Sequence, residues 1–365
     1  MTSLLSTIVG ADVLVCCGPG GVGKTTVSAT IALAEAEAGR RVCVLTVDPA
    51  RRLADALGID ASSSEPTAVT VGGTGSLDAV MLDSEGTFDQ LIDRYADTPE
   101  QAASIKGNRL YRSLSSSLAG TQEYMAMEKL YELTESGRYD LVVVDTPPTR
   151  NALDLLDAPR RLTSFLENRI FRALLAPTRA YLKAVSFATR ALLGTIGKVA
   201  GAELVADAVT FFQAFAGMEE GFAQRAGAIH DRLRAPSTRF LLVTSPRPDS
   251  IAEARFFEAR LHESGLDAGG VIVNRVHPSF AVDGITPAAE ESTGDLGRLV
   301  ANLRRLDAIA EAEGLALNDL AAAVAPAPVV SLPLTSEPIH DVEGLARLAA
   351  LLGAQRDAGQ SPAHW

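Results

Sequence analysis

Lys24, Thr25, Asp48 and Asp145 are the residues of this chain whose types and setting could do phosphate chemistry. Lys24 and Thr25 close the stretch Gly18-Pro19-Gly20-Gly21-Val22-Gly23-Lys24-Thr25, which satisfies G-x-x-x-x-G-K-[ST] and is followed by Thr26. In that pattern glycines let consecutive backbone N–H groups curl around a phosphate, the lysine reaches its β and γ oxygens, and the hydroxyl meets Mg²⁺. The expected nucleotide-binding residues are therefore Gly20, Gly21, Val22, Gly23, Lys24, Thr25 and Thr26. Gly18, Gly20 and Gly23 also spell G-x-G-x-x-G, with Asp48 near the end of the next strand, as in a dinucleotide site. Lys24-Thr25 argues against that rival, because a dinucleotide needs neither a phosphate-seeking lysine nor a magnesium hydroxyl at the helix start.

The elements that must position these groups are legible around them. Val13–Cys17 is an apolar run of strand length, and Val27–Glu37 is an Ala-rich helical stretch ending at Gly39. Strand, loop and helix in that order put a phosphate on a helix N-terminus. A second strand over 40–48 carries Asp48 to the carboxyl edge of the sheet, where it could orient a water against the γ-phosphate; alone, it could equally cap the helix that follows. A strand over 78–83 follows, and a later one, Tyr139–Asp145, ends on an acid of the kind that holds Mg²⁺ in phosphate-loop proteins. Thr146-Pro147-Pro148-Thr149 then forms a loop able to sense a γ-phosphate. Further strands over 238–244, 269–276 and 329–332 alternate with helices, so the fold class expected is α/β, a doubly wound and mostly parallel sheet. Asn274 ends one of these strands, where its amide could meet a base edge or make a turn.

Composition narrows the function classes. The 365 residues carry a formal net charge of −12 and 47% hydrophobic residues, which describes a globular protein without general attraction to nucleic acid. No basic residue precedes Lys24 and no run of about 18 uncharged apolar residues occurs, so the expectation is a cytoplasmic protein. Cys16, Cys17 and Cys43 fall in buried strands and read as packing residues.

Between Arg160 and Lys198 the character changes, with eight basic residues against the single acid Glu167. On a helix beginning after Pro177, Arg179, Lys183 and Arg190 share one face, which could lie on anionic lipid or simply face water. A helix over 205–222 then carries Val205, Val209, Phe211, Phe212, Phe215, Met218 and Phe222. That apolar stripe is expected to be core between packed helices or, on the sharper reading, a groove for a hydrophobic client.

With these residues placed, the chain resembles the ArsA-type ATPases, the family of the arsenite-pump ATPase and of the ATPase that targets tail-anchored membrane proteins. The likeness runs from Val13 to Leu352. It rests on the phosphate loop, on Asp48-Pro49-Ala50 as switch I, on Asp145-Thr146-Pro147-Pro148-Thr149 as switch II, and on Asn274-Arg275 with Leu332-Pro333-Leu334 around the adenine. The resemblance implies a P-loop ATPase domain over 1–158 and 236–356, an inserted all-helical subdomain over 159–235 and a flexible tail over 357–365. It implies ATP/ADP and Mg²⁺ as cofactors, with Lys24 and Asp48 catalytic, Thr25 and Asp145 on the metal, and Asn274 and Pro333 on the base. It also implies a dimer in which ATP reshapes the helical subdomain around a client.

Three departures bear on that picture. The family's signature lysine in the loop is Pro19 here, which carries neither charge nor N–H donor. The cysteines of the arsenite site and of the zinc clasp are missing, and Arg150-Asn151 stands where the family has Gly-His. A homodimer, or a heterodimer with a paralogue that keeps the lysine, follows as the expected partner arrangement. The alternatives are a weakly active or inactive regulatory subunit and a membrane-surface adaptor.

Overall fold

The computed structural model describes residues 10–48, 52–60, 65–109, 111–112, 121–147, 213–280 and 294–357, with Ile8 and isolated positions between 157 and 211. Pro49, Ala50, Pro148, Thr149, Arg150 and Asn151 lie outside the described residues. So do Val205, Val209, Phe212, the tail after Asp357 and all the basic residues of 160–198 except Arg160.

Eight strands form one sheet in the order β3-β4-β2-β5-β1-β6-β7-β8. They are β1 (Val13–Cys17), β2 (Arg41–Thr46), β3 (Thr67–Val69), β4 (Ser76–Met81), β5 (Leu141–Asp145), β6 (Thr238–Thr244), β7 (Ala268–Val276) and β8 (Val329–Pro333). Every pairing is parallel except β3 with β4, which is antiparallel at the edge. This is the mostly parallel α/β sheet expected from the alternation of apolar runs and helices. β3 was not foreseen: it has three residues, only Val69 among them buried, inside a polar connection.

Burial on both faces explains why the central parallel strands read as apolar runs. Leu14, Cys16, Val42, Val44, Val143, Leu241, Val243 and Ile272 pack on one face with Val27 and Ile31 of α1 (Lys24–Glu37) and Leu345 and Leu348 of α9 (Val342–Asp357). Their alternates Val13, Val15, Leu45, Val144, Leu242 and Val273 are equally buried. Each such side chain contributes about 1.5–3 kcal/mol, so the strand ends rest on a stiff slab. Helix α7 (Pro248–Glu263) packs on β6 and β7, and α8 (Asp295–Ala323) packs on α7 and β7. α8 runs through Gly314 without a break.

The chain divides into two compact units, one of Met1–Met81, Leu133–Leu153 and Pro236–Trp365, the other of Leu82–Glu132 and Asp154–Ala235. Leu82–Glu132 thus groups with Asp154–Ala235, whereas the sequence boundaries kept it with the nucleotide domain.

The second unit contains α3 (Ser84–Tyr95), α4 (Pro99–Gly107), most of α5 (Thr121–Glu135) and α6 (Glu219–Arg234). Asp83 caps α3 by accepting from Gly86 N at 2.9 Å, and Thr98 caps α4 ahead of Pro99. The stripe expected as one helix is broken at Gly217, whose φ of 94° ends the first segment before α6 begins. Its described members Phe211, Phe215, Met218 and Phe222 are all buried, with Phe215 and Tyr95 each 5.1 Å from Phe222 between ring centroids. They are core, as the first of the two readings had it.

Candidate functional site

The phosphate loop leaves β1 at the point where the sheet order reverses, with β5 on one side and β6 on the other. Ligands of open α/β sheets bind at such switch points, beyond the carboxyl ends of the strands. Gly18 presses so closely on the β6 backbone at Val243 O that no Cβ could fit there. Gly23 has φ 91° and precedes α1, and its missing Cβ leaves room for the Asn274 amide. α1 has no side-chain cap and no acid in its first turn. Its leading N–H groups and positive dipole end are therefore offered to an anion.

Lys24 is buried, and its ammonium donates to Gly18 O at 2.9 Å and Pro19 O at 2.8 Å. Burial lowers its pKa, opposed by the negative charge of Asp145. Pro19 thus takes part in holding the lysine through its carbonyl, the one backbone polar group a proline retains.

Asp145, at the end of β5, is fully buried. Its Oδ2 accepts from Thr25 Oγ1 at 2.7 Å and from Thr46 Oγ1 at 3.0 Å. Its Oδ1 has no hydrogen-bond partner among the described residues. Burial pushes the carboxyl up to about 6, against the lowering effect of the two threonine hydroxyls. An orphaned, buried carboxylate oxygen beside a threonine hydroxyl is a hard oxygen donor set, which suits Mg²⁺. No group of three or more His, Cys, Asp or Glu that could hold a metal occurs among the described residues. Few protein ligands is the usual condition of Mg²⁺ in nucleotide sites, where phosphates and water complete the shell.

The carboxyl ends of β2 and β5 are tied to one another and to β1. Thr46 pairs with Asp145 in register, Val47 N donates to Asp145 O at 3.0 Å, and Thr146 Oγ1 donates to Cys16 O at 2.8 Å. Asp48 follows two residues after Thr46, with its side chain mostly buried and 4.0 Å from Arg52 at the start of α2 (Arg52–Leu57). Pro147 is half-buried at the end of the described segment.

On the other side of the loop, Asn274 Nδ2 donates to Val22 O at 2.9 Å and Arg275 Nη1 donates to Gly21 O at 3.1 Å. Pro333 lies one strand further, in register with Val276. Lys24, Thr25, Asp48, Asp145 and Asn274 therefore gather around the loop that the sequence singled out. Thr26 sits half-buried in the first turn of α1, and Gly20 and Gly21 are exposed. Thr46 was not among the expected site residues; its signal was a hydroxyl at the carboxyl end of a buried strand, two residues before an acid.

A glycine-rich loop between β1 and α1, at the switch point of a mostly parallel sheet, places the protein among the P-loop nucleoside triphosphatases. The sequence profile of the anion-transporting ATPases matches residues 11–354, and the chain belongs to that family. An uncharacterized protein of Streptomyces coelicolor is 32% identical over 282 residues, covering 77% of this chain and 65% of that protein. A protein of Halobacterium salinarum named as an arsenical pump-driving ATPase is 35% identical over 161 residues, 41% of this chain and 24% of its own length. ATPase get3 of Aspergillus terreus is 32% identical over 152 residues, 41% of this chain and 43% of its own length. The aligned part spans less than two thirds of each of these relatives.

Proposed function

We propose that the protein is a magnesium-dependent ATPase whose cycle of ATP binding and hydrolysis drives a change in the helical unit, working as a dimer with itself or with a paralogue. The observation that carries this reading is the hydrogen bond between Thr25 of the phosphate loop and Asp145, whose other oxygen has no hydrogen-bond partner among the described residues. Thr25 and Asp145 would hold Mg²⁺, which when bound neutralises charge on the β- and γ-phosphate oxygens.

The chain's own residues would do the remaining work. The N–H groups of residues 20–26 cradle the phosphates, and Lys24 leaves the Gly18 and Pro19 carbonyls to meet the charge that develops on the transferred group. Asp48 orients the attacking water. Loss of the γ-phosphate then reaches Asp48 and Asp145 together, because Thr46 and Val47 bind them to one another. The helical unit, with its buried phenylalanines as scaffold, would take up the client or partner, and a membrane-associated client is drawn from the family resemblance by analogy. The reading includes a cytoplasmic location and, as an alternative role, contact of the basic 160–198 region with a membrane surface. No helix among the described residues is long and apolar enough to cross a membrane.

Pro19 favours a second reading, a nucleotide-binding regulatory subunit that completes the site of a lysine-bearing paralogue. Steady-state ATP hydrolysis with Mg²⁺, set beside light scattering with and without ATP, separates the two. Turnover of order 1 per second, in the range of slow enzymes, with loss in Lys24→Ala, supports the ATPase. Binding of ATP without turnover supports the regulatory subunit, and wild-type turnover in Lys24→Ala would sink the site assignment.

A further inference from the structure

We propose that Asn274 and Arg275, near the end of β7, form a clamp that holds the phosphate loop with its N–H groups turned towards the nucleotide, and that Arg275 is a positioning residue of that site. This deepens the nucleotide-binding reading above and rests on it.

The two contacts fall on consecutive peptides of the loop. Arg275 Nη1 donates to Gly21 O, and Asn274 Nδ2 donates to Val22 O. In a planar trans peptide the C=O and the next residue's N–H point in opposite directions. Tying back the Gly21 carbonyl therefore turns the Val22 N–H the other way, and tying back the Val22 carbonyl does the same for Gly23 N–H. Successive N–H groups presented on one side are what makes an anion-binding concavity. Gly20 and Gly21 are exposed glycines with wide conformational freedom, so without such ties the loop would have to be ordered at the moment of binding.

The backbone is bent to make both contacts available. Successive side chains of a strand point to opposite faces, so neighbours do not ordinarily reach the same loop. Arg275 has φ 64°, the one positive value for a non-glycine among the described residues. The β7–β8 register shifts between Val273 and Val276, around this position. A left-handed arginine is a strained choice that persists where the surroundings require it. Arg275 is exposed, so core packing does not supply the requirement. The bond to the loop does.

The test is equilibrium binding of ADP and of AMP to the full chain without added metal, for wild type, Arg275→Ala and Arg275→Lys, at about 50 and 500 mM NaCl, which changes the Debye length roughly threefold. The clamp predicts that Arg275→Ala loses about tenfold in ADP affinity, the size of one net hydrogen bond. AMP should lose less, Arg275→Lys should regain most of the ADP affinity, and the melting temperature should hold. The wild-type-to-variant ratio should be the same at both salt concentrations, because the bond is to a neutral carbonyl. Unchanged ADP affinity in Arg275→Ala would overturn the clamp. So would a loss that vanishes at high salt, which assigns the arginine to a direct charge contact, or an equal loss for AMP. If wild type bound neither nucleotide, the nucleotide reading itself would fall, and the clamp with it.

Discussion

Thr25 Oγ1 lies 2.7 Å from Asp145 Oδ2, joining the first turn of α1 to the end of β5 across 120 residues of chain. Thr46 supplies a second hydroxyl to the same oxygen, so two donors serve Oδ2 while Oδ1 has none among the described residues. The carboxylate is thus oriented by its neighbours and left incompletely satisfied. In a buried group that arrangement is costly to the charged form unless a cation arrives.

That cost has a definite pH signature. The carboxyl of Asp145 is raised from 3.8 to about 6, chiefly by burial. A raised folded-state pKa contributes stability that is fully present below the unfolded value and is lost as pH rises through the folded one. The window therefore runs from about pH 4 to about pH 7, and the shift corresponds to about 3 kcal/mol. Asp145→Asn does not titrate. Urea unfolding in the absence of Mg²⁺ should show wild type losing about that much relative to Asp145→Asn across the window. A difference that stays flat with pH would show that Asp145 is not held in this state.

Asp48 should separate from Asp145 in kinetics. If it orients water, Asp48→Asn lowers kcat by about 10²–10⁴-fold, the usual contribution of a positioned acid–base group, while ADP affinity changes by less than about threefold. ATPase assays beside ADP titrations decide it. A loss of ADP affinity as large as the loss of turnover would move Asp48 to a binding role through its link to Thr46 and Asp145.

Much of this site is legible in the sequence. The central strands β1, β2, β5, β6 and β7 are buried on both faces over most of their length, so they appear as apolar runs, and the groups at their carboxyl ends, Asp48, Asp145 and Asn274, stand out against them. β3 escaped because a three-residue edge strand with one buried side chain leaves no pattern. The stripe from Val205 to Phe222 looked continuous because a helical periodicity does not reveal that Gly217 takes a left-handed φ. Burial of Glu128 and Lys129 within α5 was invisible for a different reason. Tyr124 to Leu130 are all buried, so that helix has no solvated side there, and the partner of Glu128 is 97 residues away in sequence.

Gly23 bears on both the loop conformation and the clamp. A Cβ at this position would overlap the Asn274 amide nitrogen, and φ is 91°. Gly23→Ala should therefore cost about 1–2 kcal/mol for the left-handed backbone alone, with the clash added. In an Asn274→Ala background the clash is gone and only the backbone cost remains. A double-mutant cycle on thermal stability should show a coupling of about 0.5–3 kcal/mol between the two positions. Strict additivity would mean that Asn274 moves aside without cost.

The helical unit contains a buried ion pair whose removal should be asymmetric. Arg225 Nε donates to Glu128 Oε1 at 2.8 Å and Oε2 at 3.0 Å, and the guanidinium lies 4.1 Å over the Tyr131 ring. The side chains are 13% and 4% exposed respectively, so neither charge has much water to fall back on. Truncating one partner strands the other, at a cost of about 3–5 kcal/mol, whereas replacing both by apolar groups of similar volume is often neutral or stabilising. Arg225→Met alone should therefore release hydrogen-exchange protection in α5 and α6, and Glu128→Met with Arg225→Met should restore it. If the double variant is as exposed to exchange as the single one, the pair is not held by charge balance, and the Tyr131 stacking contact becomes the interaction that orders these helices.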